Sequence, residues 1–293
     1  MDWLTYLVYS SLWRIVRWLP EGFAYQLFYI LAKLAYLKNG RRVGRLRTNY
    51  RAVRPNASHA EIEVMVKAGL RSAMRYWCDT FRISDWDSNR ISSTVETVNE
   101  NYLFDPIKSG RGVIIALPHA GNWDHAGAYF CARGALVNTV AEHLKPERLF
   151  RRFLSHRAEM GMTVLDLNAG VLGQLEEMLR QGKLVALVAD RDLSRSGLDV
   201  TFFAKKARMP AGPALLAYKT KADLVTAYVS YQPDGISVHF SPPISVNYVG
   251  EQIAEIARVT QQMAAQFEQQ IALDPTSWHM QQRIFIDEGF VQR

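Results

Sequence analysis

An imidazole and a carboxylate stand five residues apart in the stretch Pro118-His119-Ala120-Gly121-Asn122-Trp123-Asp124. An imidazole titrates near neutrality, so His119 could take a proton from a hydroxyl and hand it on. The spacing predicts that Asp124 folds back through a turn at Gly121 and meets the ring of His119. There it would fix the tautomer and stabilise the imidazolium. No G-x-S-x-G elbow occurs and no cysteine lies beside His119, so direct attack by an activated substrate hydroxyl is expected, without an acyl-enzyme. No metal is expected either. HExxH is absent, and His119, Asp124 and His125 lack a helix-phased third ligand.

A base at this position needs a scaffold. The residues before it, Val113-Ile114-Ile115-Ala116-Leu117, form a short apolar, β-rich run, the pattern of a buried strand. Helix-like and strand-like segments then alternate: helix 123–133, strand 136–141, helix 146–160, strand 163–165, helix 171–181, strand 184–189. Helix 213–220, strands 224–230 and 236–240, and a long helix 251–272 follow. This alternation implies an α/β fold with a mostly parallel central sheet flanked by helices. In such sheets ligands bind beyond the carboxyl ends of the strands, where His119 falls.

Upstream, Ser58 followed three residues later by Glu61 marks a helix start. Ile62, Met65, Val66, Leu70, Met74 and Trp77 continue at helical spacing over 58–85. No repeat or linker interrupts the chain. The expected organisation is a helical region over 1–100 leading into an α/β domain over 101–293, packed as one unit.

The 293 residues are 48% hydrophobic and 22% charged, which excludes a disordered chain. Lys and Arg outnumber Asp and Glu by 35 to 28, a balance that favours anionic partners. Cys78 and Cys131 are the two cysteines, too few for a disulfide framework or a Cys-rich zinc site, and a reducing compartment is expected. The first forty residues are dense in aromatics, among them Trp3, Tyr9, Trp13, Trp18, Phe23 and Tyr29, broken by Arg14, Arg17 and Pro20. The uncharged run 22–32 is too short to span a bilayer, which takes roughly 20 apolar residues. Nor does the start look like a signal peptide. Two interfacial helices over 1–36 are expected instead. Arg41, Arg42, Arg45, Arg47, Arg51 and Arg54 follow, suiting an anionic membrane surface. No RNA-binding signature accompanies them, so no nucleic acid is expected.

The ordered set His119–Asp124, 141–149, 157–162, 190–197, Phe202-Phe203 and Trp278-His279-Met280 resembles the lysophospholipid and lipid A acyltransferase superfamily. It is most similar to the actinobacterial phosphatidylinositol mannoside acyltransferases. That resemblance implies transfer of a fatty acyl chain, usually palmitoyl, from acyl-CoA to the 6-hydroxyl of a mannose on a mannosylated phosphatidylinositol. It implies work at the cytoplasmic face of the cell membrane and no permanently bound cofactor. His119 would be the base and Asp124 its orienting partner. The family uses a second acidic residue, typically Glu, where this chain has Asp190 and Asp192; Asp192 is the preferred match. Glu142, Arg157, Asp190 and Arg195 would contact the substrates. Alternative acceptors are lipid A or a lysophospholipid, and a different class of reading is an inactive, lipid-binding membrane protein.

Overall fold

The computed structural model describes residues 2–142, 145–168, 170–192 and 196–286. The chain begins with α1 (Asp2–Trp18), α2 (Glu21–Lys38), α3 (Arg41–Val53) and α4 (His59–Arg82). It continues through α5 (Ser88–Ser93), β1 (Val95–Val98), α6 (Asn101–Lys108), β2 (Val113–Leu117), α7 (Trp123–Ala132) and β3 (Val137–Ala141). Then come α8 (Glu147–Glu159), β4 (Thr163–Asp166), α9 (Val171–Arg180) and β5 (Leu184–Val188). The chain proceeds through β6 (Leu198–Phe202), β7 (Lys205–Met209), α10 (Gly212–Thr220), β8 (Asp223–Gln232), β9 (Gly235–Phe240) and α11 (Gln252–Leu273). Helix α4 starts on the expected capping box: Ser58 Oγ accepts the Glu61 N–H, and the Glu61 carboxylate accepts the Ser58 N–H.

Seven strands form one sheet in the order β1-β9-β8-β2-β5-β3-β4. Every neighbouring pair is parallel except β8 with β9, which form an antiparallel hairpin. A separate antiparallel hairpin joins β6 and β7. The sheet is therefore mostly parallel with helices against it, as the alternation of segments implied. β2 has β5 on one side and β8 on the other, which explains a strand apolar at all five positions.

Alternation along β2 divides the core in two. Ile114 and Ala116 pack into the layer that holds buried residues of α3, α4, α9, α10 and α11. Val113, Ile115 and Leu117 face the opposite layer, with residues of α6 and α7. A third cluster, Trp13, Val16, Ala24, Phe28, Cys78 and Phe81, holds α1 and α2 on α4. The outer faces of α1 and α2 remain apolar and exposed: Leu12, Ile15, Trp18, Phe23, Leu27, Ile30 and Leu34 face outwards. Among the described residues, no helix is long and apolar enough to cross a membrane. Of the six arginines 41–54, Arg47 pairs with Glu63, and Arg54 donates to the Ala272 carbonyl at the end of α11.

Candidate active site

The carboxyl ends of β2, β5 and β3 lie side by side, and a polar residue follows each within two positions: His119, Asp190 and Glu142. The register places Leu117 opposite Val188, so His119 and Asp190 leave the sheet at the same level. The His119 Nδ1 stands 2.6 Å from Asp190 Oδ1, and the His119 backbone N–H donates to Asp190 Oδ2 at 3.0 Å. Trp278 Nε1 donates to the same Oδ2 at 2.9 Å. Asp190 is fully buried, while the His119 side chain keeps 37% of its surface. Burial alone would push the Asp190 carboxyl up, but the imidazole's charge and the three N–H donors outweigh it and hold it below its ordinary range. A carboxylate that only accepts puts the imidazole proton on Nδ1, leaving the Nε2 lone pair free for a substrate proton.

The turn that carries His119 depends on Gly121. Its φ is +56°, and a Cβ there would come within 2.4 Å of the Val229 carbonyl oxygen. The Gly121 N–H donates to the Ser277 carbonyl at 2.9 Å, so this amide is occupied and does not serve a developing oxyanion. The next residue, Trp278, supplies the indole on Asp190, so one segment, 277–278, braces both the turn and the carboxylate.

Asp124 occupies a different place from the one expected. It sits in the first turn of α7 behind the N-cap Asn122, whose Oδ1 accepts the His125 N–H at 2.9 Å. Its carboxylate takes Arg157 Nε at 2.8 Å and the Tyr76 hydroxyl at 3.1 Å. The helix that begins at Trp123 carries residue 124 away from the ring, and the imidazole's carboxylate partner comes from β5. Burial makes the Asp124–Arg157 pair a brace between α7, α8 and α4: their side chains are only 2% and 19% exposed. The carboxylate raises the Arg157 guanidinium further, so it stays charged.

Asp192 is likewise not the residue on His119. It lies half-buried two positions beyond Asp190, and its N–H donates to the Arg208 carbonyl on β7 at 2.8 Å. Arg157 serves Asp124, and Glu142 is exposed at the end of β3. Arg195 lies outside the described residues, as do His143 and Leu144 of the resemblance.

Aromatic rings build the walls. Trp123 stands edge-on to His119 at 5.8 Å and packs on Tyr76 at 4.4 Å. His279 completes the group, 5.9 Å from Trp123 and 5.7 Å from Tyr76. Burial, helped by the charge of His119, pushes His279 down to about 3, so it is neutral at physiological pH. The role of Tyr76 had no sequence signal beyond its place on α4.

An imidazole nitrogen without a partner among the described residues, a buried carboxylate behind the ring and an aromatic wall make an arrangement suited to deprotonating an alcohol. Residues 1–286 match the family model described as bacterial lipid A biosynthesis acyltransferase. The chain belongs to that acyltransferase family. It is 36% identical over 282 residues to the phosphatidylinositol mannoside acyltransferase of Mycolicibacterium smegmatis, covering 95% of this chain and 90% of that one. To the protein of the same description from Mycobacterium tuberculosis it is 34% identical over 286 residues, covering 96% and 87%. Membership in the acyltransferase family gives the chain its reaction class, acyl transfer.

Proposed function

We propose that this acyltransferase moves a palmitoyl group from acyl-CoA to the 6-hydroxyl of a mannose on a mannosylated phosphatidylinositol. The description of its relatives supports the acceptor, and the resemblance of the site residues supports the donor and the position acylated. One observation carries the mechanism: His119 Nδ1 on buried Asp190, with no partner on Nε2 among the described residues.

His119 Nε2 removes the hydroxyl proton as the mannose oxygen attacks the thioester carbonyl. Asp190 stabilises the imidazolium that forms. The tetrahedral intermediate then collapses, the C–S bond breaks, and the imidazolium returns its proton to the departing CoA thiolate. The ester and free CoA thiol are the products, and no acyl-enzyme intervenes. Asp192, half-buried beside Asp190, stays a candidate contact for the reacting groups, and Glu142 and Arg157 line or brace the same end of the sheet.

The enzyme works peripherally at the cytoplasmic face of the membrane. The exposed apolar faces of α1 and α2 support this, with exposed arginines on α3 suited to anionic head groups. The test of the whole reading is incubation with labelled palmitoyl-CoA and mannosylated phosphatidylinositol. Acylation of the mannose is expected; acylation of lipid A or a lysophospholipid instead would replace the acceptor, and no transfer to any of them would favour a lipid-binding protein.

A further inference from the structure

A cavity outside the His119 site abuts the turn at Gly121 through Ser277. It is a groove of about 370 Å³ between α2, α4, the end of β8 and the segment after α11. Its lining is strongly polar. Arg71 on α4 has its Cζ over the Tyr29 ring of α2, 4.6 Å from the centroid, and among the described residues no carboxylate pairs with it. The ring covers one side of the guanidinium, and a guanidinium carries five N–H donors, more than this contact can occupy.

Arg75, one turn on, is differently engaged. It stacks on Tyr231 at 4.2 Å and donates to the Gln232 carbonyl at 2.6 Å and the Gly235 carbonyl at 3.3 Å. It builds the wall, whereas Arg71 is the uncommitted cation. Between them Ser72 lines the groove with its hydroxyl oxygen turned into the protein. On the far side Asp274 lines the groove beside Ser277, whose Oγ accepts the Tyr231 N–H at 3.0 Å. An acceptor carboxylate, the lining hydroxyl residues Ser230 and Thr276 and an uncommitted cation together match a ring that carries both hydroxyls and a phosphate. The carboxylate repels the phosphate and so sets its direction: the phosphate belongs at Arg71 on the α2 side and the hydroxyls toward Asp274.

That direction agrees with the surface outside. Phe23, Leu27, Ile30 and Leu34 form the exposed apolar face of α2, whose Tyr29 forms one wall of the groove. Acyl chains lying along α2 would leave their phosphate at the groove's mouth. The groove's inner wall, Ser277, precedes the tryptophan that holds Asp190 and accepts the Gly121 N–H through its carbonyl.

We infer that this groove is the subsite for the non-reacting part of the acceptor, a phosphorylated polyol ring, with Arg71 on its phosphate. The inference rests on the acceptor class proposed above, but its first test does not need the reaction. Full-length protein is titrated with myo-inositol 1-phosphate and, separately, with inorganic phosphate. The inositol phosphate should bind more tightly than phosphate, and Arg71→Gln should weaken it about tenfold or more, the loss of one charge-assisted hydrogen-bonding group. In the transfer assay Arg71→Gln should raise KM for the acceptor by a similar factor and leave KM for palmitoyl-CoA in place. Arg71→Lys, which keeps the charge and loses the planar fork, should lose less than Arg71→Gln. Thermal melting of both variants separates a lost contact from a lost fold. Equal affinity for phosphate and inositol phosphate would overturn the inference. So would an Arg71→Gln variant with unchanged binding, or one whose defect lies in KM for the CoA donor. Failure of mannolipid acylation with Arg71-dependent inositol phosphate binding intact would count against the proposed acceptor reaction and leave the subsite standing.

Discussion

His119 and Asp190 each lie two positions beyond a register pair of adjacent parallel strands, Leu117 and Val188, and their side chains meet at 2.6 Å. Neighbouring strands thus deliver imidazole and carboxylate to one point without any loop having to fold back.

The first expectation concerns that carboxylate. Asp190→Asn removes the charge that stabilises the imidazolium and offers an amide that can hold the wrong tautomer. The expected loss in kcat is about 10²–10⁴-fold. Steady-state rates with palmitoyl-CoA measure it, and Asp124→Asn, which leaves the contact to His119 intact, should lose less. Equal losses, or a larger one at Asp124, would remove Asp190 from its role.

Asp124 and Arg157 are expected to matter for the fold. Removing one partner of a buried ion pair leaves the other charge uncompensated and typically costs about 3–5 kcal/mol. Urea titration of Asp124→Ala should show a loss of that order. Replacing both residues, Asp124→Leu with Arg157→Met, should recover much of it. A single-variant loss below about 1 kcal/mol, the worth of a surface pair, would show that the brace carries no load.

Acid should destabilise the protein well before its carboxylates protonate. Burial pushes His125 down to about 4 and His279 to about 3, from an ordinary value of 6.5. The unfolded chain therefore binds protons that the folded chain refuses. Stability is full above pH 6.5 and falls as the pH drops toward those lowered values. Asp190 adds a loss at more acid pH: its contribution is present above the ordinary carboxyl value of 3.8 and disappears as pH falls through its lowered one. Urea midpoints between pH 7.5 and 4 test this. His125→Gln should flatten the profile over that range, and an unchanged slope would contradict the assignment.

The outer faces of α1 and α2 should govern membrane binding. Each large apolar side chain moved out of water contributes about 1.5–3 kcal/mol when fully buried. Trp18→Ser, Phe23→Ser and Leu27→Ser combined should lower sedimentation with anionic liposomes at least tenfold, since even partial insertion of three such groups exceeds 1.4 kcal/mol. Unchanged partitioning would leave these helices a role in packing alone.

Much of this architecture was legible in the residues. Val113–Leu117 declared a strand buried on both faces, and the alternation after it declared a mostly parallel sheet. Strand β1 and helix α6 were missed because the polar residues around 84–101 mask a four-residue strand. The hairpin β6–β7 was missed as well: Lys205, Lys206 and Arg208 interrupt its apolar pattern, and Phe203 and Ala204 make its turn at positive φ without glycine. His119 was legible from its position after β2. Its partner was not, because sequence does not state strand order, and the pairing of β2 with β5 spans 71 residues. A signal did exist: Asp190 follows the buried run 184–189 just as His119 follows 113–117. Spacing favours Asp124 because five residues keep it close along the chain, but α7 turns that residue toward Arg157.

The most direct measurement is transfer of labelled palmitoyl from its CoA thioester to mannosylated phosphatidylinositol by the intact protein and by His119→Ala. The intact protein should place one acyl chain on the mannose, and the variant, folded by thermal melting, should lose at least about 10²-fold in rate. Turnover by His119→Ala close to that of the intact protein would show that the imidazole on Asp190 is not the base.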